Sequence, residues 1–183
     1  RLAVEMQDVT QWLDEALNRW HLMRPEASYR FNLLGQGSVP RMAPPPDLTQ
    51  ALLNLLNNAA DACPEGLGVQ LDWDAENVTI SIRDHGAGVP PEQLSNLTKP
   101  FFRGDSARTA AAGAGLGLSI VDKTIQRMGG IFALANSSSG GMVAHIQLKQ
   151  AQGLPDGADG LALHHVVADF DVERTYITVF TAL

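Results

Sequence analysis

Three consecutive prolines, Pro44-Pro45-Pro46, stop any helix arriving from upstream, and the residues after them, up to Cys63, read as a new one. Asp47 is placed to accept a backbone N–H as N-cap, and Gln50 three residues on predicts a capping box. Leu48, Leu52, Leu55, Leu56 and Ala59 recur at helical spacing as one apolar face, while Asn54, Asn58 and Asp61 recur at i, i+4 and i+7 on another. Pro64 closes the far end. Asparagine is a mediocre helix former that prefers caps and turns, so Asn54, Asn57 and Asn58 in one helix need a reason. One reading is a solvated face. The other is a row of neutral oxygen donors, able to ligate Mg²⁺ without adding negative charge beside a polyphosphate.

The rest of the chain bounds what this helix can belong to. With 183 residues and 45% hydrophobic content, one domain with a sizeable core is expected, with room for an appendage. A formal charge of −7 argues against a general nucleic-acid or anionic-membrane binder, so any anion site must be local. The single cysteine, Cys63, permits no intramolecular disulfide and reads as a small core residue at the helix end. No apolar run approaches membrane-spanning length and no signal-peptide layout opens the sequence, so the stretch reads as soluble.

In residues 1–20 a stripe of Leu2, Met6, Val9, Leu13, Leu17 and Trp20 predicts one amphipathic helix. It can pack on another chain or on its own domain. Ser28 to Leu33 reads as a strand. Val69 to Trp73 and Val78 to Asp84 alternate with period two and, joined by Ala75-Glu76-Asn77, predict an antiparallel hairpin. Continuing that alternation puts Asp84 inward at the strand end, where a carboxylate must find donors. His85-Gly86-Ala87-Gly88 comes next, with glycines that let backbone approach a flat ligand; an exocyclic amine of adenine type would suit Asp84, and a capped glycine turn is the plainer alternative. Gln93 to Leu97 reads as a short helix, Thr98 to Arg103 as an aromatic and basic segment, and Gly104 to Ala114 as a lid or a disordered segment. Gly113-Ala114-Gly115-Leu116-Gly117-Leu118 opens a helix striped by Leu118, Val121, Ile125 and Met128, and its exposed N–H groups suit phosphate, or form a plain hinge. Ile131 to Ala135 and Met142 to Leu148 make a second hairpin.

The order of these stretches is far more specific than any one of them. It resembles the ATP-binding catalytic domain of bacterial two-component sensor histidine kinases, of the GHKL fold shared with gyrase, Hsp90 and MutL, over Tyr29 to Leu148. The stretches then correspond to the N, G1, F and G2 boxes. The resemblance implies an α+β two-layer sandwich of GHKL (Bergerat) type: a mixed, mostly antiparallel sheet with helices on one face. It implies Mg²⁺ on Asn58 and adenine at Asp84 with Gly86 and Gly88. Phe101 and Phe102 become the F-box aromatics, Arg103 the phosphate-facing lid residue, and Gly113, Gly115 and Gly117, with Leu116 and Leu118, the G2 box. Asn54 stands where gyrase-like ATPases carry a water-activating Glu; an amide is no general base, which favours phosphoryl transfer over hydrolysis. Asp61, counted among the nucleotide-binding positions, stands where many histidine kinases carry Lys or Arg, so that phosphate contact is missing or supplied by Lys99 or Arg108.

The implied division is 1–24 as the end of a dimerisation-type helix and linker, 25–149 as the catalytic domain, and 150–183 as an extension with strands expected at Leu161 to Phe170 and Thr175 to Leu183. None of His21, His85, His145, His164 or His165 sits in the family's phospho-acceptor pattern, so the accepting histidine is expected on a dimerisation domain outside this stretch. The resemblance further implies ATP and Mg²⁺ as cofactors, a response regulator as partner, and a cytoplasmic domain of a homodimeric, membrane-bound sensor in the bacterial inner membrane. Local wording fits both RegB/PrrB-like and EnvZ-like kinases. An anti-sigma Ser/Thr kinase of the same fold, disfavoured by the F box, and a non-catalytic nucleotide-sensing module docking through residues 1–20 are the rivals.

Overall fold

The computed structural model describes residues 6–97, 117–150 and 178–181. The chain enters through a two-residue strand, β1 (Gln7–Asp8), and turns at once into α1 (Val9–Met23). Asp8 makes the turn: its Oδ1 accepts from the Thr10 hydroxyl at 2.5 Å and from the N–H groups of Thr10 and Gln11 at 2.8 and 3.2 Å. These bonds, the Thr10 hydroxyl foremost, hold its carboxyl below the usual carboxylate value. The helix expected to include Met6 therefore starts after it. A good N-cap outcompetes continued apolar periodicity, and Met6 is left 46% exposed. Of the two partners open to α1, its own domain is the one found: Val9, Trp12, Leu13, Ala16, Leu17 and Trp20 are buried in the same core as the rest of the molecule.

Strand β2 (Tyr29–Leu33) comes next, then β3 (Arg41–Met42), which pairs antiparallel with β1. Helix α2 (Pro46–Ala62) starts earlier than expected, with Pro45 as N-cap. Proline has no N–H to satisfy and its fixed φ suits the first helical position, so Pro46 takes that place and Asp47 moves into the first turn, beside the positive helix end. The capping box does not form. Gln50 instead donates to Asn54 Oδ1 at 3.3 Å. Leu48, Leu52, Leu55, Leu56 and Ala59 are all buried as the periodicity predicts, and each fully buried leucine contributes on the order of 2 kcal/mol. Cys63, extended, ends the helix through its N–H to Ala59 C=O at 3.0 Å and is half-buried, not a core residue.

The chain continues through the hairpin β4 (Leu67–Trp73) and β5 (Asn77–Arg83), a 3₁₀ turn (Pro91–Asn96) at the expected short helix, α3 (Gly117–Arg127), and the hairpin β6 (Ile131–Asn136) and β7 (Met142–Lys149). A last strand, β8 (Thr178–Thr181), falls within the expected Thr175 to Leu183 strand; the one expected at Leu161 to Phe170 lies outside the described residues. The main sheet has six strands in the order β2-β4-β5-β7-β6-β8, with β2 and β4 parallel and every other neighbour antiparallel. Val69, Leu71, Val78, Ile80, Phe132, Leu134, Ile146 and Leu148 point from it into one core shared with α1, α2 and α3. That is the expected two-layer architecture. Gly129, at φ +71°, with Gly130 N–H on Ile125 C=O at 2.9 Å, stops α3 and turns the chain into β6. No helix among the described residues is long and apolar enough to cross a membrane.

The other face of the sheet is buried too, and it holds a polar pair. Ser81 on β5 and His145 on β7 are directly opposed, Oγ to Nδ1 at 2.7 Å, at 2% and 7% exposure. Burial pushes the His145 pKa down to about 4. The unfolded chain therefore takes up this proton first. Its contribution to stability is complete above about pH 6.5 and is lost as pH falls toward 4, on the order of 2 kcal/mol by pH 4.5. Urea unfolding at pH 7 and 4.5 checks this: wild type should lose that much more than His145→Asn over the interval, and equal losses would refute it.

Candidate functional site

Asp84 stands at the end of β5 at 2% exposure, inward as the alternation predicts. Its Oδ1 accepts from Gly86 N–H at 2.9 Å and Met142 N–H at 3.2 Å, and its own N–H donates to Met142 C=O at 3.0 Å. One carboxylate thus folds the turn after β5 and ties it to the start of β7. The glycines around it sit in tight places. A Cβ on Gly86 would meet Ala62 at the end of α2 at 3.1 Å, and one on Gly88, at φ +70°, would meet Asn136 Oδ1 at 2.9 Å. Asn136, read from sequence only as a hairpin residue, clasps Val89 from both sides: Oδ1 accepts its N–H at 3.1 Å and Nδ2 donates to its C=O at 2.6 Å. Gly141 carries the tightest approach, since a Cβ there would lie 2.0 Å from the Asp84 carbonyl oxygen.

The polar face of α2 adjoins this turn. Asn54, Asn58 and Asp61 are half-buried, as an amphipathic helix requires, but they point to different neighbours. Asn58 approaches the start of α3, where a Cβ on Gly117 would stand 3.8 Å from its Nδ2. Asn54 takes the Gln50 amide. Asp61 faces α1, its Oδ1 accepting from Arg24 Nη2 at 3.1 Å, and Asn57 Oδ1 accepts from Arg24 Nη1 at 3.3 Å and the Trp20 indole at 3.0 Å. The sequence alone assigns Asn57 no role beyond its residue type and assigns Arg24 none at all. Leu118 packs half-buried on the core.

The structure therefore sets Asn58 beside Gly117, and the Asp84 turn, at Gly86, against Ala62 at the end of the same helix. Lys99, Phe101, Phe102, Arg103, Arg108, Gly113, Gly115 and Leu116, with the Gly104 to Ala114 lid, lie outside the described residues. Among the described residues no three His, Cys, Asp or Glu side chains converge on a metal-sized space. The side chain near Gly117 is a neutral amide, nearest through Nδ2; its oxygen is a ligand type for a hard cation that keeps its own waters or phosphates and not for one needing a protein cage.

Comparison with known proteins bears on the family and the fold. A family described as histidine kinase-, DNA gyrase B-, and HSP90-like ATPase (HATPase_c) matches residues 43–152. The chain is 40% identical over 141 residues to the signal transduction histidine-protein kinase/phosphatase MprB of Mycolicibacterium paratuberculosis, covering 75% of this chain and 26% of that protein. It is 38% identical over 106 residues to the C4-dicarboxylate transport sensor protein DctB of Pseudomonas aeruginosa, covering 55% of this chain and 17% of that protein. The chain thus spans about a quarter or less of these relatives' length. Among solved structures, the mycobacterial sensor histidine kinase MprB superposes with TM-score 0.66 at 27% identity, covering 81% of this chain and 98% of that one. The catalytic domain of histidine kinase ThkA shares the fold, with TM-score 0.66 at 21% identity over 81% of this chain and 99% of that one.

The packing around Asp84 makes adjacent glycines unequal. Gly140 and Gly141 both have positive φ, at +95° and +89°, so alanine strains the backbone at either. Only Gly141 adds a collision, because a Cβ on Gly140 has nothing nearer than the Gly86 carbonyl at 3.8 Å. Gly141→Ala should therefore destabilise the domain by roughly 2 kcal/mol more than Gly140→Ala in denaturant unfolding. Equal losses would show that the turn yields freely.

Proposed function

We propose, from the premise that this chain belongs to the histidine kinase-, DNA gyrase B- and HSP90-like ATPase family, that it is the Mg·ATP-binding catalytic domain of a sensor histidine kinase. It would donate the γ-phosphoryl group to a histidine on a dimerisation domain outside this stretch. The observation that carries the reading is the convergence of Asn58 with Gly117 and of the buried Asp84 turn with the end of α2.

Adenine is assigned to Asp84. A carboxylate accepts up to about four hydrogen bonds, so holding the turn and accepting from the exocyclic amine are compatible. Gly86 and Gly88 keep side chains out of the ring's plane. Asn58 would hold Mg²⁺ through its amide oxygen, and the donor chemistry fits: half-buried, uncharged, and beside a glycine that leaves room. When bound, the ion neutralises phosphate charge and fixes the triphosphate. Arg103, with Lys99 and Arg108, would face the phosphates, Phe101 and Phe102 would wall the site, and Gly113, Gly115, Leu116, Gly117 and Leu118 would bring the α3 N-terminus to it. Transfer breaks the bond from the γ-phosphorus to its bridging oxygen, forms a P–N bond to the imidazole, and releases ADP. Asn54 and Asn58 are amides and cannot take a proton from water, so hydrolysis should be slow. A response regulator would receive the phosphoryl group next, and the whole protein is assigned to a homodimer in the bacterial inner membrane.

Two substitutions test the assignments. Asn58→Ala should abolish the Mg²⁺-dependent part of ATP-analogue binding with little change in stability, since Asn58 lies off the buried leucine face; titration with and without Mg²⁺ reads this, and unchanged affinity would remove Asn58 from the site. Guanine would present O6, an acceptor, to the Asp84 carboxylate, so wild type should prefer ATP over GTP by roughly 30- to 1,000-fold. Asp84→Asn should weaken ATP binding substantially. Competition of ATP against GTP decides it: equal affinities in wild type would leave Asp84 a turn cap only.

A further inference from the structure

The end of α1 is fastened to α2 by polar contacts that nucleotide binding does not use. Arg24, the C-cap of α1, reaches Asn57 Oδ1 at 3.3 Å and Asp61 Oδ1 at 3.1 Å, and its Nε is held by Glu26 at 2.6 Å. Trp20, fully buried, donates to the same Asn57 oxygen at 3.0 Å. Asn57 and Asp61 are one turn apart and form the edge of α2 that faces α1. Asn58 stands between them in sequence and roughly 60–100° further round the helix, toward Gly117.

The two kinds of contact on α2 have different effects. Leucine packing is non-directional and tolerates small rotations of a helix about its own axis. Hydrogen bonds to a planar guanidinium and an indole do not, because they weaken steeply when bent. At a side-chain radius of about 5–6 Å, a rotation of about 10° carries an amide about 1 Å, and such misplacement of a catalytic group can cost on the order of 100-fold. The pair is protected enough to matter: the Arg24 and Asp61 side chains are 25% and 15% exposed.

We propose that Arg24 is a positioning residue for Asn58: by gripping Asn57 and Asp61 it sets the rotation of α2, and so the place where the Asn58 amide meets the metal–phosphate complex. This deepens the reading of Asn58 given above and rests on it. Asp61 then serves the site through Arg24 and not by touching phosphate.

The test uses the whole 183-residue chain. Affinity for a non-hydrolysable ATP analogue is measured with Mg²⁺ and with EDTA for wild type, Arg24→Met, Arg24→Lys, Asp61→Asn and the Arg24→Met/Asn58→Ala double variant, with unfolding curves alongside. Arg24→Met should lose about tenfold in Mg²⁺ and stay within about twofold in EDTA. Arg24→Lys, which can reach Asp61 but cannot fork to both acceptors, should recover part of the loss. The double variant should bind no worse in Mg²⁺ than Asn58→Ala alone. If Arg24→Met does not fold, Asp61→Asn, which keeps the shape and an acceptor, is read the same way. Equal losses with and without Mg²⁺, or none, would mean that Arg24 only holds α1, and would overturn this inference alone. A wild type without any Mg²⁺ preference would overturn the assignment of Asn58, and this inference with it.

Discussion

Burial of Leu48, Leu52 and Leu56 in the core holds α2 on the sheet, and the contacts around the rest of its circumference decide how it is turned there. A helix with one buried face still has its remaining circumference to assign. Here the side toward α1 is taken by Asn57 and Asp61, the side toward α3 by Asn58, and the C-terminal end by Ala62 against the Gly86 turn. The apolar face provides the energy and the polar contacts provide the angle. Removing a leucine would weaken the whole domain, whereas removing a polar contact would leave it folded with the helix less well aimed.

The second constraint is a buried carboxylate. At 2% exposure Asp84 needs several donors, and two of them are backbone N–H groups; the approach of β7 depends on glycine at Gly141, and the turn at Gly86 fits closely against α2. Those contacts join the β5 turn to the β6–β7 hairpin, and the Asn136 clasp on Val89 repeats the join a few residues on. The turn is therefore held in shape before any base arrives, which is what a site relying on a hydrogen bond for selectivity requires.

How much of this is legible in the sequence depends on the range of the interaction responsible. The α2 leucine face, both hairpins, the inward Asp84 and the α3 stripe are set by periodicity and local turn chemistry, and they stand where periodicity puts them. The differences are at helix ends. Asp8 starts α1 because a cap beats a stripe, and Pro46 displaces Asp47 because proline fits the first helical position. The contacts that sequence does not reveal are long-range. Arg24 lies 33 and 37 residues from Asn57 and Asp61, and Asn136 lies 47 from Val89, so nothing local in those residues announces the contact. A signal does exist for Gly141: two adjacent glycines in a hairpin turn are more than the turn needs, and the second marks a close approach.

The charge arrangement bears on the proposed ligand. A chain of net charge −7 that binds a triphosphate must keep its own carboxylates out of the way locally. Asp61 stands three residues beyond Asn58, on the next turn, with its carboxylate turned toward α1. Arg24 cancels that charge from the opposite side; the hydrogen bond to Glu26 first, and that to Asp61, raise the guanidinium pKa and outweigh its lowering by burial, so it stays charged at any working pH. Asp84 is held differently, with backbone donors on its carboxylate, which suits the acceptor role proposed for it. One acid near the site is thus cancelled by a cation and the other is kept as an acceptor. Asn54 and Asn58, the other polar side chains on that side of α2, carry no charge at all, so under the proposed function the positive charge needed for the phosphates would fall to the metal ion and to Lys99, Arg103 and Arg108.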